Sequence, residues 1–187
     1  MRRALGGVLV VTLFLAGCGD GSSSPPTTTM TTTTTPAGPG DADRAQVLAL
    51  ALRQLVTVNN SFGPGHAFTE LLVQSALDPA AGTSIPVDGP QRALTEAERT
   101  AIEAALSDLA PVRWIGDPAE WRTENLAPTV PGAAILGVGE PRFDDRGALV
   151  PVSLWCGGVC GIWLTYRLGL QAGSWSVTGM EGQWVIS

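Results

Sequence analysis

Twice in the first half of the chain the apolar positions fall into a helical rhythm. Asp41-Ala42-Asp43 is an acidic start, Val47, Leu48, Leu50, Leu52, Leu55, Val56 and Val58 follow it, and Asn59-Asn60 ends the run, a pattern that predicts a first helix. Further on, Thr95-Glu96-Ala97-Glu98 has the spacing of a capping box, in which a threonine and a glutamate satisfy each other's free backbone donors. Ala101, Ile102, Ala105, Leu106 and Leu109 recur behind it at helical intervals and predict a second helix. Between the two, a turn-rich stretch over 59–65 leads into 67–77, whose apolar residues suit strand or helix; we read it as strand, ended by Asp78-Pro79.

After Pro111 the rhythm changes to short β-rich runs. Residues 112–115, 133–138, 148–155, 162–170, 174–178 and 183–186 read as strands, with turns at 144–147, 156–161, 171–173 and 180–182. Connections this short make neighbouring strands antiparallel. The expected fold class is therefore α+β: two N-terminal helices packed on a C-terminal antiparallel β-meander, in a single domain over 41–187. That order loosely resembles the cone-shaped sheet of nuclear-transport-factor-like proteins.

The first 40 residues carry no such pattern. Met1-Arg2-Arg3 is cationic and 4–16 is apolar, but this run is well short of the ~20 residues a membrane-spanning helix needs, so it reads as a signal segment. It ends in Leu15-Ala16-Gly17-Cys18, which resembles the lipobox of bacterial lipoproteins. The resemblance implies that 1–17 is a signal peptide and that Cys18 receives the lipid. The domain would then be held on the extracytoplasmic face of the cell membrane. Residues 18–40 are rich in Ser, Thr and Pro and have nothing to offset the entropy of ordering. They read as a tether that reaches ~70 Å when extended at ~3.1 Å per residue.

Charge narrows the partners. The chain has 11 basic and 17 acidic side chains, no lysine, and a formal charge of -6. Loss of 1–17 would remove Arg2 and Arg3 and take the charge to -8. Nucleic acid is thereby excluded as an expected partner, and so is electrostatic adhesion to an anionic lipid surface. Attachment is left to the lipid at Cys18, with an envelope protein or a cell-wall component as the expected binding partner and no cofactor.

Cys156 and Cys160 are the obvious chemical pair. Outside the cytoplasm two nearby thiols usually close a disulfide. Four extended residue steps span ~13 Å, a bond requires less than ~7 Å, and Gly157-Gly158 supplies the necessary turn. The alternative is copper or thiol-redox chemistry, because Cys-x3-Cys with a distant His66 resembles the ligand set of membrane-anchored copper-delivery proteins. In those proteins the pair sits at an early strand-to-helix turn, whereas here it joins two predicted strands, so a structural disulfide is preferred.

Asp144-Asp145-Arg146-Gly147 reads as a turn rather than a hydrolase carboxylate pair, and Gly137-Val138-Gly139 as a strand end rather than a dinucleotide loop. Strand alternation puts Trp155 on one face with Pro151 and Ser153, and Trp163 with Thr165 and Arg167. These two tryptophans are the ligand-binding candidates, as a stacking platform for cell-wall sugar. The competing and preferred reading packs them under the helices or against other tryptophans.

The block 155–161, with Tyr166, Trp175 and Trp184 behind it, resembles the C-terminal end of small exported bacterial proteins and brings no activity with it. With no acid, base and nucleophile assembled, the expected function is a lipid-anchored, extracytoplasmic, non-enzymatic binding or interaction domain of the cell envelope.

Overall fold

The computed structural model describes residues 39–187, with 183 and 184 described in backbone alone. Cys18, the signal segment 1–17 and all of the tether but Pro39 and Gly40 lie outside the described residues.

Helix α1, Asp41–Thr57, opens where the sequence places it. The Asp43 carboxylate accepts the Gly40 backbone N–H at 3.0 Å and the Trp175 indole N–H at 2.8 Å. These bonds hold its carboxyl below the usual range, against a smaller opposing effect of burial. Helix α2, Glu96–Leu106, starts at the expected capping box: Thr95 Oγ1 accepts from Glu98 N at 3.3 Å and Glu98 Oε2 accepts from Thr95 N at 2.7 Å. Glu98 is 1% exposed. Arg92 spans both its oxygens at 2.8 Å and Arg44 approaches at 3.2 Å. Burial pushes this carboxyl up, but the hydrogen bonds from Arg92 and Thr95 outweigh it and keep the pKa below the usual range. At their other ends the helices are joined by Arg53, which donates to both oxygens of Asp108 at 2.6 and 2.9 Å.

The α+β class holds, as two helices and a mostly antiparallel mixed sheet. The strands are β1 Leu71–Gln74, β2 Val112–Ile115, β3 Ala134–Val138, β4 Arg142–Asp144, β5 Gly147–Gly157, β6 Cys160–Gln171 and β7 Ser174–Ile186. Their spatial order is β2-β1-β3-β5-β6-β7, with β4 beside β5.

Two features of the expected arrangement are corrected. The helices do not form an N-terminal pair, because β1 lies between them; and the strands are not a simple meander, because β1 pairs in parallel with both β2 and β3. The reason is that β1 reaches β2 through α2, and a helix-length crossover returns the chain in the same direction, whereas tight turns reverse it. From β4 onward, β4, β5, β6 and β7 follow one another as antiparallel neighbours. The turn expected at 180–182 is also absent: β7 runs through it, and the β6–β7 pairing absorbs the irregularity as register shifts at Trp163/Thr165 and Arg167/Leu168.

The helices cover one face of the sheet. Val47, Leu48, Leu52, Leu55, Ile102 and Leu106 meet Leu71, Val73, Leu136, Val150, Val152, Leu154, Leu164 and Tyr166 in one continuous buried cluster. Tyr166 is fully buried there, and its hydroxyl donates to Asn59 Oδ1 at 2.8 Å. The opposite face has a much smaller apolar cluster, Leu72, Ile115, Ala133 and Ile135, against which Trp121, Val130 and Trp155 pack. Loops cover that face instead of helices. No helix of the described residues is long and apolar enough to cross a membrane.

Candidate functional site

Strand alternation delivers a row of polar side chains to the loop-covered face. Gln74 ends β1, Ser153 lies on β5 opposite Gly137 of β3, and Trp155 and Trp163 extend the row on β5 and β6. Asp78 comes from the turn after β1, whose backbone N–H donates to Val138 O at 2.9 Å and so continues the line of β3. Gly137 makes the convergence possible. A Cβ there would lie 2.5 Å from Ser153 Oγ and 2.8 Å from both Asp78 Oδ2 and Gln74 Nε2. The space left by the missing methyl is filled by three polar groups.

These groups hold each other loosely. Gln74 Nε2 and Ser153 Oγ donate to Asp78 Oδ2 at 3.4 and 3.5 Å, near the limit for a hydrogen bond, while Asp78 Oδ1 takes the Ala80 backbone N–H at 2.8 Å. Gln74 and Ser153 are nevertheless 8% and 9% exposed. Oδ2 of Asp78 is thus an acceptor that can take a stronger donor.

The wall is aromatic. Trp155 stands opposite Gly161 on β6, and the Trp163 ring folds back over that glycine, where a Cβ would lie 2.5 Å from it. The two indoles meet edge to face, with centroids 5.8 Å apart. The Trp155 N–H donates to Leu126 O at 2.7 Å, and Leu126 adopts the left-handed backbone, φ 61°, that aims this carbonyl inward. Arg122 of the same loop lies over the Trp155 ring, its guanidinium carbon 4.8 Å from the centroid. Its Nε is buried with no hydrogen-bond partner. Burial lowers the Arg122 pKa, and the charges of Asp117 and Asp78 only partly oppose this.

Together these residues enclose a cleft of about 330 Å³, with Ile135 in its floor and Thr83, Ser84 and Ile85 on its rim. Three clefts elsewhere are larger, among them one of about 400 Å³ beside Arg92 and Glu140, but each arginine that lines them is paired with a carboxylate. One of about 460 Å³ is lined by Asp43, bonded to Trp175, and by Asp144, which holds Arg167 at 2.7 Å. Another of about 490 Å³ contains the Glu98, Arg92 and Arg44 cluster. The Trp155–Trp163 cleft differs in having an arginine without a carboxylate within ion-pair reach among the described residues.

The remaining candidates are placed elsewhere. Cys156 and Cys160 are bonded to each other across the β5–β6 hairpin, Cα atoms 5.1 Å apart. His66 is exposed and stacked on Phe62 at 4.1 Å, with Phe68 at its edge. No group of three or more His, Cys, Asp or Glu side chains among the described residues is placed to hold a metal, so the set Cys156, Cys160 and His66 is not brought together. Trp155 and Trp163 are half-buried, on the face away from the helices. Of the two packings expected for them, under the helices or against other tryptophans, the first is corrected; they pack on each other, and Arg122 lies over Trp155. Sequence patterns do not mark Gln74, Asp78, Arg122, Gly137 or Ser153 as site residues: Asp78 and Gly137 read only as strand ends, and Ser153 only as sharing a face with Trp155.

No known protein family, curated protein or solved structure matches this chain.

Proposed function

We propose that this protein is a lipid-anchored, extracytoplasmic binding domain of the cell envelope, and that the Trp155–Trp163 cleft is its binding site. The lipobox-like Leu15-Ala16-Gly17-Cys18 and the Ser/Thr/Pro tract behind it support the anchor and the tether. The observation that carries the binding reading is the cleft itself: half-buried aromatic faces and an unanswered guanidinium over a floor of Gln74, Asp78 and Ser153. A half-buried arginine whose Nε has no hydrogen-bond partner and which forms no ion pair among the described residues is open to an anionic ligand. The cleft's size suits a small molecule or a single unit of a polymer, which favours a cell-wall component over a protein partner. The Ser153 hydroxyl, which donates to Asp78 at 3.5 Å with the Gln74 amide close by, supports a role in holding a polar ligand.

The test uses the full chain in neutral detergent and purified cell-wall sacculi. Sedimentation with sacculi, reduced by Trp163→Ala, is the expected result; a chain that stays in the supernatant removes the reading. Fractionation of a Cys18→Ala variant tests the anchor separately. Release from the membrane or accumulation of unprocessed precursor is expected, and wild-type mass and membrane attachment would refute lipidation.

A further inference from the structure

We infer that the ligand of the Trp155–Trp163 cleft is a carboxylated pyranose, its carboxylate against Arg122 and its ring hydroxyls on Asp78, Gln74 and Ser153. This inference rests on the binding reading above and adds the chemical class.

Each part of the cleft selects one part of that ligand. Arg122 lines the cleft with its guanidinium carbon 4.8 Å from the Trp155 centroid, its Nε is buried without a partner, and its terminal nitrogens donate no hydrogen bond among the described residues, so the group is complementary to a carboxylate. The nearby carboxylates do not neutralise it. Asp117 accepts the Ala119 backbone N–H at 2.8 Å, and Asp78 gives one oxygen to Ala80 at the same distance. Neither forms an ion pair with Arg122, yet both put negative charge beside the cleft. A multiply charged anion such as phosphate would be repelled by them, while a single carboxylate matches the single cation.

The floor asks for hydroxyls. Asp78 Oδ2 accepts two long contacts, at 3.4 and 3.5 Å, and can exchange either for a shorter bond from an incoming O–H. Gln74 and Ser153 each offer a donor and an acceptor beside it. Adjacent hydroxyls on a ring, each able to donate and accept, match that mixture better than the purely accepting oxygens of a simple acid. Trp163 and Trp155 supply apolar surface for the C–H face of the ring, and about 330 Å³ is room for one ring with a short acidic arm.

The competing occupant is a zwitterion, with its ammonium on Asp78 and its carboxylate on Arg122. Calorimetric titration of the full chain in neutral detergent separates the two. The probes are N-acetylmuramic acid, N-acetylglucosamine, which has the same ring without the acidic arm, and the dipeptide D-alanyl-D-alanine. The expected result is that the acidic sugar binds at least ~10-fold more tightly than the neutral one, the dipeptide more weakly than either, a difference on the scale of one charge-assisted hydrogen bond. Arg122→Met keeps apolar bulk over Trp155 and should bring the two sugars to within ~2-fold of each other. Equal affinity for both sugars in the wild type, or tighter binding of the dipeptide, overturns the inference. Binding to sacculi with neither sugar bound also overturns the ligand class while leaving wall binding standing. Failure to bind sacculi as well removes both.

Discussion

The two faces of the sheet are built from the same strands and differ in how completely their side chains are buried and paired. On the helix-covered face, Leu71, Leu136, Val152, Leu164 and Tyr166 are almost completely buried, and the one hydroxyl among them is bonded to Asn59. On the loop-covered face, the neighbouring positions Gln74, Gly137, Ser153, Trp155 and Trp163 leave a cleft whose polar groups are only loosely paired. A dry, fully satisfied face holds the fold together, and the face that helices leave free can afford unsatisfied chemistry. Substitutions should therefore divide by face: stability on one side, binding on the other.

The largest loss of stability is expected deep in the helix-covered face. Leu136→Ala removes a fully buried side chain in the central strand and should cost ~3 to 5 kcal/mol, seen as a lower midpoint in urea unfolding. An effect below ~1 kcal/mol would show that this face is not the main source of stability.

Glu98→Gln comes next, at ~2 to 4 kcal/mol, since it strips Arg92 and Arg44 of their shared carboxylate and weakens the cap of α2. The same residue sets an acid limit. Because its folded pKa lies below the ordinary carboxylate value, its stabilisation is complete above that value and is lost as pH falls through the lowered one. Asp144, held down mainly by its hydrogen bond from Arg167, and Asp43, held down by Trp175, act in the same direction. Melting temperature should fall below about pH 4 in the wild type and less steeply in the Glu98→Gln variant.

Opening the Cys156–Cys160 bond should cost less, ~2 kcal/mol, because so short a loop restrains few unfolded conformations. A double Cys→Ser variant that melts cooperatively a few degrees lower is the expected outcome. Loss of folding would mean that the bond supports more than its own hairpin.

How far sequence leads is seen in particular elements. Thr95 and Glu98 announce α2 because capping is local chemistry between residues three apart, and the burial of Tyr166 opposite Trp163 follows from alternation within one strand. The parallel pairing of β1 is not legible from local pattern, because it depends on where α2 returns the chain. Met180-Glu181-Gly182 has the composition of a turn, and Gly182 does take a positive φ, 79°, but inside a continuous strand. The cleft was half legible. Trp155 and Trp163 stand out by residue type, but Asp78 reaches it from the loop between β1 and α2 and Arg122 from the loop between β2 and β3, and no spacing rule links them. Gly137 looked like punctuation near a strand end, and its function as the opening for three polar groups exists only once β1, β3 and β5 are side by side.

In the cleft the effect on binding is expected to exceed the effect on stability. Gly137→Ala should disturb the Gln74, Asp78 and Ser153 cluster and weaken binding to wall fragments strongly, for a folding cost of ~1 to 3 kcal/mol. Trp163→Ala removes a half-buried ring and should lower stability less than Leu136→Ala does.

The affinity of the Trp163→Ala chain for soluble cell-wall fragments, measured at a temperature where it is fully folded, tests the division between the faces most directly. The account predicts at least ~10-fold weaker binding than wild type, the loss of one main stacking surface. Unchanged affinity in a folded Trp163→Ala chain would contradict it and place the binding site elsewhere on the molecule.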